Sequence, residues 1–245
     1  MDHLRAVLVG TRNPLNMGAA ARAMSNFGVL NLRVVNPWEA AFREARSAVG
    51  AADLLANAAE YTTVAEAVAD CTRVVGTTAV GHRELRQPLR RLEEGAPLIR
   101  KELGAGRVAL LFGSEKVGLS NRDLSHCHWL MRIPTREEHA SMNLAQAVSV
   151  CLYELVRQGK APRAKKEKAR ATAGDLERVT ETLLQALRAS GYVKPRAAGV
   201  TEEKVRRMVH RLQLNTCDAE VWLGMLRQIA WKLGVSDEEQ NRRSR

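Results

Sequence analysis

Residues 108–153 read VALLFGSEKVGLSNRDLSHCHWLMRIPTREEHASMNLAQAVSVCLY. The apolar run Val108–Phe112 stops at Gly113, and a polar loop punctuated by Gly118 and Ser120-Asn121 follows. A second apolar run, residues 129–133, stops at Pro134. Residues 135–141 form a second polar loop, and from Asn143 the apolar spacing turns helical. Short continuous apolar runs bounded by glycine and proline are expected of strands buried on both faces. Two such strands end here in two polar loops, and the second loop feeds a helix. Ligands of open parallel sheets bind beyond the carboxyl ends of the strands. The stretch is therefore read as the cofactor-binding centre of an enzyme.

Upstream, residues 5–9, 31–35 and 73–77 are further strand-like runs. Helical patterns separate them. The first covers residues 17–27, with Asn16 as expected N-cap and Gly28 as terminator. On it Ala20, Met24 and Phe27 share one face, and Arg22 points to the other side. Residues 39–59 are expected to be helical in two pieces broken near Gly50. Residues 64–69 and 97–103 are shorter helices, the latter ended by Gly104. Five strands alternating with helices predict a parallel α/β sheet over residues 1–156. The helix 143–156 is apolar nearly all round and needs burial on two sides, one against the sheet and one against a second subunit.

After Val156 the composition changes. Residues 157–174 carry seven basic residues and one acid, with no apolar face. They are read as a linker that spans roughly 60 Å if extended. Residues 175–245 show three amphipathic helical patterns, near 175–190, from Thr201, and over 217–233, with Trp222 and Trp231 expected as core anchors. The net charge is +11, and more than half of it lies in that linker. Such a run meets polyanions through counterion release, or else serves as a solvated tether. The four cysteines are scattered without a CxxC pair, which argues against a disulfide framework or zinc site and for a reducing, cytoplasmic setting. No apolar run reaches membrane-spanning length, and the early charge at Asp2 argues against a signal peptide.

Familiar nucleotide and hydrolase fingerprints are missing. The first strand leads into GTRNPLNMG rather than G-x-G-x-x-G, and neither a P-loop nor G-x-S-x-G occurs. His126-Cys127-His128 has no partners spaced for a metal, so none is expected. A specific resemblance lies elsewhere. VLVGTRNPLNMGAAARAM (residues 7–24), LLFGSEKVGLSN (110–121) and IPTREEHASMNLAQAVSV (133–150) occur in order at strand ends. They resemble the three motifs of the SPOUT methyltransferases, RNA-modifying enzymes that use S-adenosyl-L-methionine, and within them the ribose 2′-O-methylating branch. The C-terminal helices, LERVTETLLQALRASGYV and KVRRMVHRLQL, more loosely resemble an extension carried by tRNA-specific members.

The resemblance implies a parallel sheet with a C-terminal trefoil knot over residues 1–156, a basic linker over 157–174 and a helical RNA-binding extension over 175–245. It implies a homodimer whose sites draw on both subunits. S-adenosyl-L-methionine would be held by Thr77, Thr78 and Ala79, by Gly113, and by Ile133, Ala140, Ser141 and Met142. Arg22 matches the arginine of N-x-x-N-x-G-x-x-x-R, here Asn13, Asn16, Gly18 and Arg22. A guanidinium stays protonated, so it suits gripping a phosphate and stabilising a developing alkoxide better than removing a proton. Asn16 is a candidate for orienting the loop or ribose, and Glu115 for organising the second loop or assisting proton removal. Ser141 and Asn143 are further catalytic candidates. The substrate implied is tRNA, at the pyrimidine of position 32. Ribosomal RNA, another tRNA position, or a catalytically idle RNA-binding role are the alternatives.

Overall fold

The computed structural model describes residues 1–38, 52–79, 85–157 and 169–235. Its centre is a seven-stranded sheet: β1 (Leu4–Val9), β2 (Leu32–Val35), β3 (Ala59–Tyr61), β4 (Arg73–Thr77), β5 (Leu89–Arg91), β6 (Val108–Phe112) and β7 (Trp129–Arg132). The order is β3-β2-β1-β6-β4-β7-β5 and every pairing is parallel. Period-two alternation of side chains explains the apolar runs. Leu4, Leu8, Leu110 and Phe112 belong to one core cluster and Val7, Val9, Ala109 and Leu111 to another.

Helices α1 (Pro14–Asn26), α4 (Leu92–Leu103) and α6 (Leu144–Val156) cover the first face, contributing Met17, Met24, Ile99, Val148 and Leu152. Helices α3 (Val64–Val68) and α5 (Asn121–Ser125) cover the second through Val64, Val68 and Leu124. A short helix, α2 (Ala52–Ala56), precedes β3. The C-terminal helices α7 (Ala173–Ala189), α8 (Ala198–Arg211) and α9 (Thr216–Lys232) share their own clusters around Leu176, Val179, Val209 and Leu223, and around Leu184 and Val205. Helix α7 is also pinned to the sheet body. Ala173 N–H donates to the Cys71 carbonyl at 2.7 Å and Gly174 N–H to that of Ala69 at 2.9 Å.

Several expectations are corrected. Asn16 is not the N-cap of α1: Asn13 is, its side chain accepting from Leu15 N–H, because Pro14 takes the first helical position where its missing N–H costs nothing. Residues 59–61 form strand β3 instead of ending a helix, and β5 was not expected. Both are three-residue sheet-edge strands with largely exposed side chains, so they carry no apolar run. Helix α4 starts at Leu92, not Pro97, because Leu92, Ala96 and Ile99 pack on the sheet and Glu94 caps Arg91 N–H at 3.3 Å. Trp222 packs beside the extension's core, whereas Trp231 is 63% exposed and outside the core clusters of the described residues. Residues 39–51 of the expected helical pair, residues 80–84 of the loop after β4, and residues 158–168 of the linker lie outside the described residues.

Candidate active site

The register brings three loops together. Gly76 is level with Leu111 of β6 and Thr77 with Met131 of β7. The chain leaving β4 at Thr78, β6 at Gly113 and β7 at Ile133 therefore emerges from three neighbouring strands at one end of the sheet. Two hydrogen bonds fasten these exits, from Thr77 Oγ1 to the Leu111 carbonyl at 2.8 Å and from Thr78 N–H to the Met131 carbonyl at 2.9 Å. Residues 113–118 fold back on themselves, with Gly118 N–H donating to the Ser114 carbonyl at 2.8 Å. The third loop contains a 3-10 turn over Glu137–His139 and is closed by Thr135 Oγ1 donating to the Ala140 carbonyl at 3.1 Å.

A hydrogen-bonded chain links three segments far apart in sequence. The Glu115 carboxylate accepts from Asn16 Nδ2 at 3.1 Å, and from the backbone N–H groups of Arg12 at 3.3 Å and Asn13 at 3.4 Å. Asn16 Oδ1 accepts from Asn143 Nδ2 at 2.9 Å. Asn143 Oδ1 accepts from the N–H groups of Ala145 and Gln146, capping α6. The loop after β6, the start of α1 and the start of α6 are thereby held as one unit. Glu115 sits at the amino end of α1, where an anion is favoured. Of the residues singled out in sequence, Asn16, Glu115 and Asn143 are directly joined.

Arg22 stands apart. It is exposed, six residues beyond Asn16, which places it about 9 Å further along the helix axis and on a different face. Ser141 is exposed, two residues before the Asn143 cap. The packing around Gly113 adds a constraint that the sequence did not show. A Cβ there would lie 2.1 Å from the Gly118 carbonyl carbon and 2.2 Å from Leu119 N, so the close approach Gly113 permits is that of the chain's own backbone. Sequence reasoning missed the backbone N–H groups of Arg12 and Asn13 as partners of Glu115. The Asn13-Pro14 pair was the available signal, since it sets the helix start and turns the preceding amides outward.

The candidate cofactor residues suit an amphiphilic organic group in kind. Thr77, Thr78, Gly113, Ile133, Ala140 and Met142 are half-buried, and Ile133 packs against the main core, while Ala79 is exposed. Strand-end peptide groups, small side chains and two apolar side chains thus occur at one end of the sheet. His128 lies elsewhere, its Nδ1 accepting from Val74 N–H at 3.1 Å. Among the described residues no group of three or more His, Cys, Asp or Glu is placed to hold a metal ion.

Residues 3–153 match the family model described as the SpoU rRNA methylase family. The chain is 38% identical over 237 residues to "tRNA (cytidine/uridine-2'-O-)-methyltransferase TrmJ" of Klebsiella pneumoniae, covering 94% of this chain and 97% of that protein. To the protein of the same description from Sodalis glossinidius it is 34% identical over 235 residues, covering 94% and 92%. Among solved structures, that of TrmJ from Z. mobilis ZM4 superposes with a TM-score of 0.80 at 32% identity, covering 92% of this chain and 98% of that one.

Proposed function

The chain belongs to the SpoU rRNA methylase family, and we propose that it is an S-adenosyl-L-methionine-dependent tRNA 2′-O-ribose methyltransferase acting on the pyrimidine at position 32 of the anticodon loop. Full-length similarity to the tRNA (cytidine/uridine-2'-O-)-methyltransferases supports the activity and substrate class. The observation that carries the site is the Glu115–Asn16–Asn143 chain of hydrogen bonds at the strand ends.

When bound, S-adenosyl-L-methionine supplies an electrophilic methyl. Thr77, Thr78, Ala79, Gly113, Ile133, Ala140, Ser141 and Met142 would hold it, largely through backbone groups. The chain's own task is to position a weakly acidic 2′-hydroxyl and stabilise its developing charge. Glu115 already accepts three hydrogen bonds, so we assign it the organisation of the loop rather than removal of the proton. Asn16 positions the ribose through the same network.

Arg22 grips the adjacent phosphate, and its distance from Asn16 within one chain is met if it serves the site of a partner subunit. Leu15 on α1 and Val150 and Tyr153 on α6 are exposed apolar side chains, the faces we assign to a homodimer interface. In this reading α6 threads a trefoil knot, the basic stretch from residue 157 to the start of α7 at Ala173 links the two parts, and α7 to α9 belong to an RNA-binding extension of a cytoplasmic enzyme.

The test is methylation of total tRNA with labelled S-adenosyl-L-methionine, wild type beside Arg22→Ala, the product mapped by nuclease digestion and mass spectrometry. The expected result is a 2′-O-methylated pyrimidine at position 32, reduced at least a hundredfold in the variant. Label in ribosomal RNA instead would keep the chemistry and overturn the substrate. Absence of label in both RNAs together with poor S-adenosylhomocysteine binding would favour an idle RNA-binding role, whereas absence of label despite tight binding would point to another target or a missing partner.

A further inference from the structure

A cleft of about 1150 Å³ opens between the loops after β1 and β6 on one side and helices α7, α8 and α9 on the other. The loop residues assigned to the cofactor after β4 and β7 do not line it; Gly10, Arg12, Ser114 and Lys116, flanking Asn16 and Glu115, do. The cleft therefore starts beside the catalytic network and ends on the extension. Its volume exceeds that of ordinary small-ligand pockets, about 300–1,000 Å³.

The lining carries seven Lys and Arg side chains and five Asp and Glu side chains, but most of the acids are already engaged. Glu177 binds Arg206 through two oxygens at 2.8–3.2 Å, and Glu202 pairs with Arg188. Glu66 and Asp123 accept hydrogen bonds at helix starts, and Glu181 adds its charge near Arg206. Among the described residues, the exposed side chains of Arg12, Lys116, Arg122 and Arg227 form no ion pair with a carboxylate. They come from four segments, the loops after β1 and β6, α5 and α9, and so face the cleft from separate walls. Separated, unpaired cations along a long cleft match a chain of phosphates better than one compact anion.

We propose that this cleft is a phosphodiester track for the RNA strand flanking the target nucleotide, with Arg12, Lys116, Arg122 and Arg227 contacting its phosphates. The proposal rests on the RNA methyltransferase reading and locates where the extension and the catalytic loops hold one strand together. The experiment uses the full chain as wild type, Arg122→Gln, Arg227→Gln and the double variant. Arg107→Gln, at the amino end of β6 and paired with Asp70, serves as the charge-removal control. tRNA affinity is measured against salt, beside steady-state methylation and S-adenosylhomocysteine binding.

Each cleft variant is expected to flatten the log–log salt slope by roughly 0.7–0.9 and to raise KM for tRNA several-fold. Cofactor-product affinity is expected to stay unchanged, and the control to match wild type. An unchanged slope and KM in the double variant, with wild type active on tRNA, would overturn the track and leave the enzyme reading intact. If wild type binds tRNA without methylating it, the tRNA-substrate reading fails and the slope comparison still decides the cleft. If it binds no tRNA at all, both fall.

Discussion

A single hydrogen atom in place of a methyl group keeps the loop after β6 in position. Gly113 has no positive φ to excuse it, so its constraint is purely one of approach: the 118–119 peptide lies where a Cβ would be. Gly113→Ala must push residues 114–118 outward, and Glu115 with them, breaking the link to Asn16. A displacement of about 1 Å at a catalytic group can cost on the order of 10²-fold in rate. We expect kcat/KM to fall by about that factor while the circular dichroism of the sheet and helices is retained. A variant with wild-type kcat/KM would show that the loop's position does not matter to turnover. At this scale the sequence was informative about which residues matter and poor about why. The three-motif resemblance singled out Gly113, Asn16, Glu115 and Asn143, but it did not show that Gly113 makes room for its own loop, and the helix pattern placed the cap at Asn16 instead of Asn13. Neither self-packing of a loop nor a hydrogen bond spanning 127 residues leaves a local signature.

Elements were legible where burial was strong. β1, β4, β6 and β7 are nearly fully buried and were recognisable as apolar runs, and α7 to α9 followed from their helical periodicity. The edge strands β3 and β5 escaped because sheet pairing, rather than side-chain pattern, holds them. How the extension docks was equally hidden, since it depends on a buried polar cluster. Glu177 of α7 accepts from Arg206 of α8 through both oxygens, and Arg206 Nη1 donates to Ser125 Oγ of α5 at 3.4 Å. Both charged side chains are largely buried. Glu177→Gln removes the hydrogen-bonded counter-charge of the Arg206 guanidinium and leaves only the more distant charges of Glu202 and Glu181, a change expected to cost up to about 3–5 kcal/mol. The expected outcome is a loss of that size in urea unfolding, together with faster proteolytic cleavage between α6 and α7. Unchanged unfolding would mean that the Glu177–Arg206 pair is not needed to dock the extension.

On the scale of the molecule, the same junction makes folding depend on pH. His126 and His128 come from the segment between α5 and β7, and His210 comes from α8. The His128 and His210 rings meet edge to face with centroids 4.6 Å apart. Burial first, then the nearby positive charges of Arg206 and Arg122, lowers His126 to about 3. Burial, reinforced by Arg206 and opposed by Glu177, lowers His210 to about 4. Burial also holds His128 well below its ordinary value. His126 is thus neutral in the folded chain, and its 3.6 Å approach to Glu177 is a polar contact rather than an ion pair. All three values lie below that of an unfolded histidine, about 6.5. The unfolded chain therefore binds more protons between about pH 6.5 and 4, and stability falls as pH falls through that window. Each histidine contributes on the order of 1 kcal/mol per pH unit there. Asp70, held down to about 2 chiefly by its hydrogen bond from Arg33, loses its contribution only below about pH 4 and so separates cleanly. Urea midpoints measured from pH 7 to pH 5 should fall steadily in wild type and less steeply in His210→Gln. Equal slopes in the two proteins would mean that His210 does not stay neutral at the junction, and the origin of the acid sensitivity would have to be sought elsewhere in the fold.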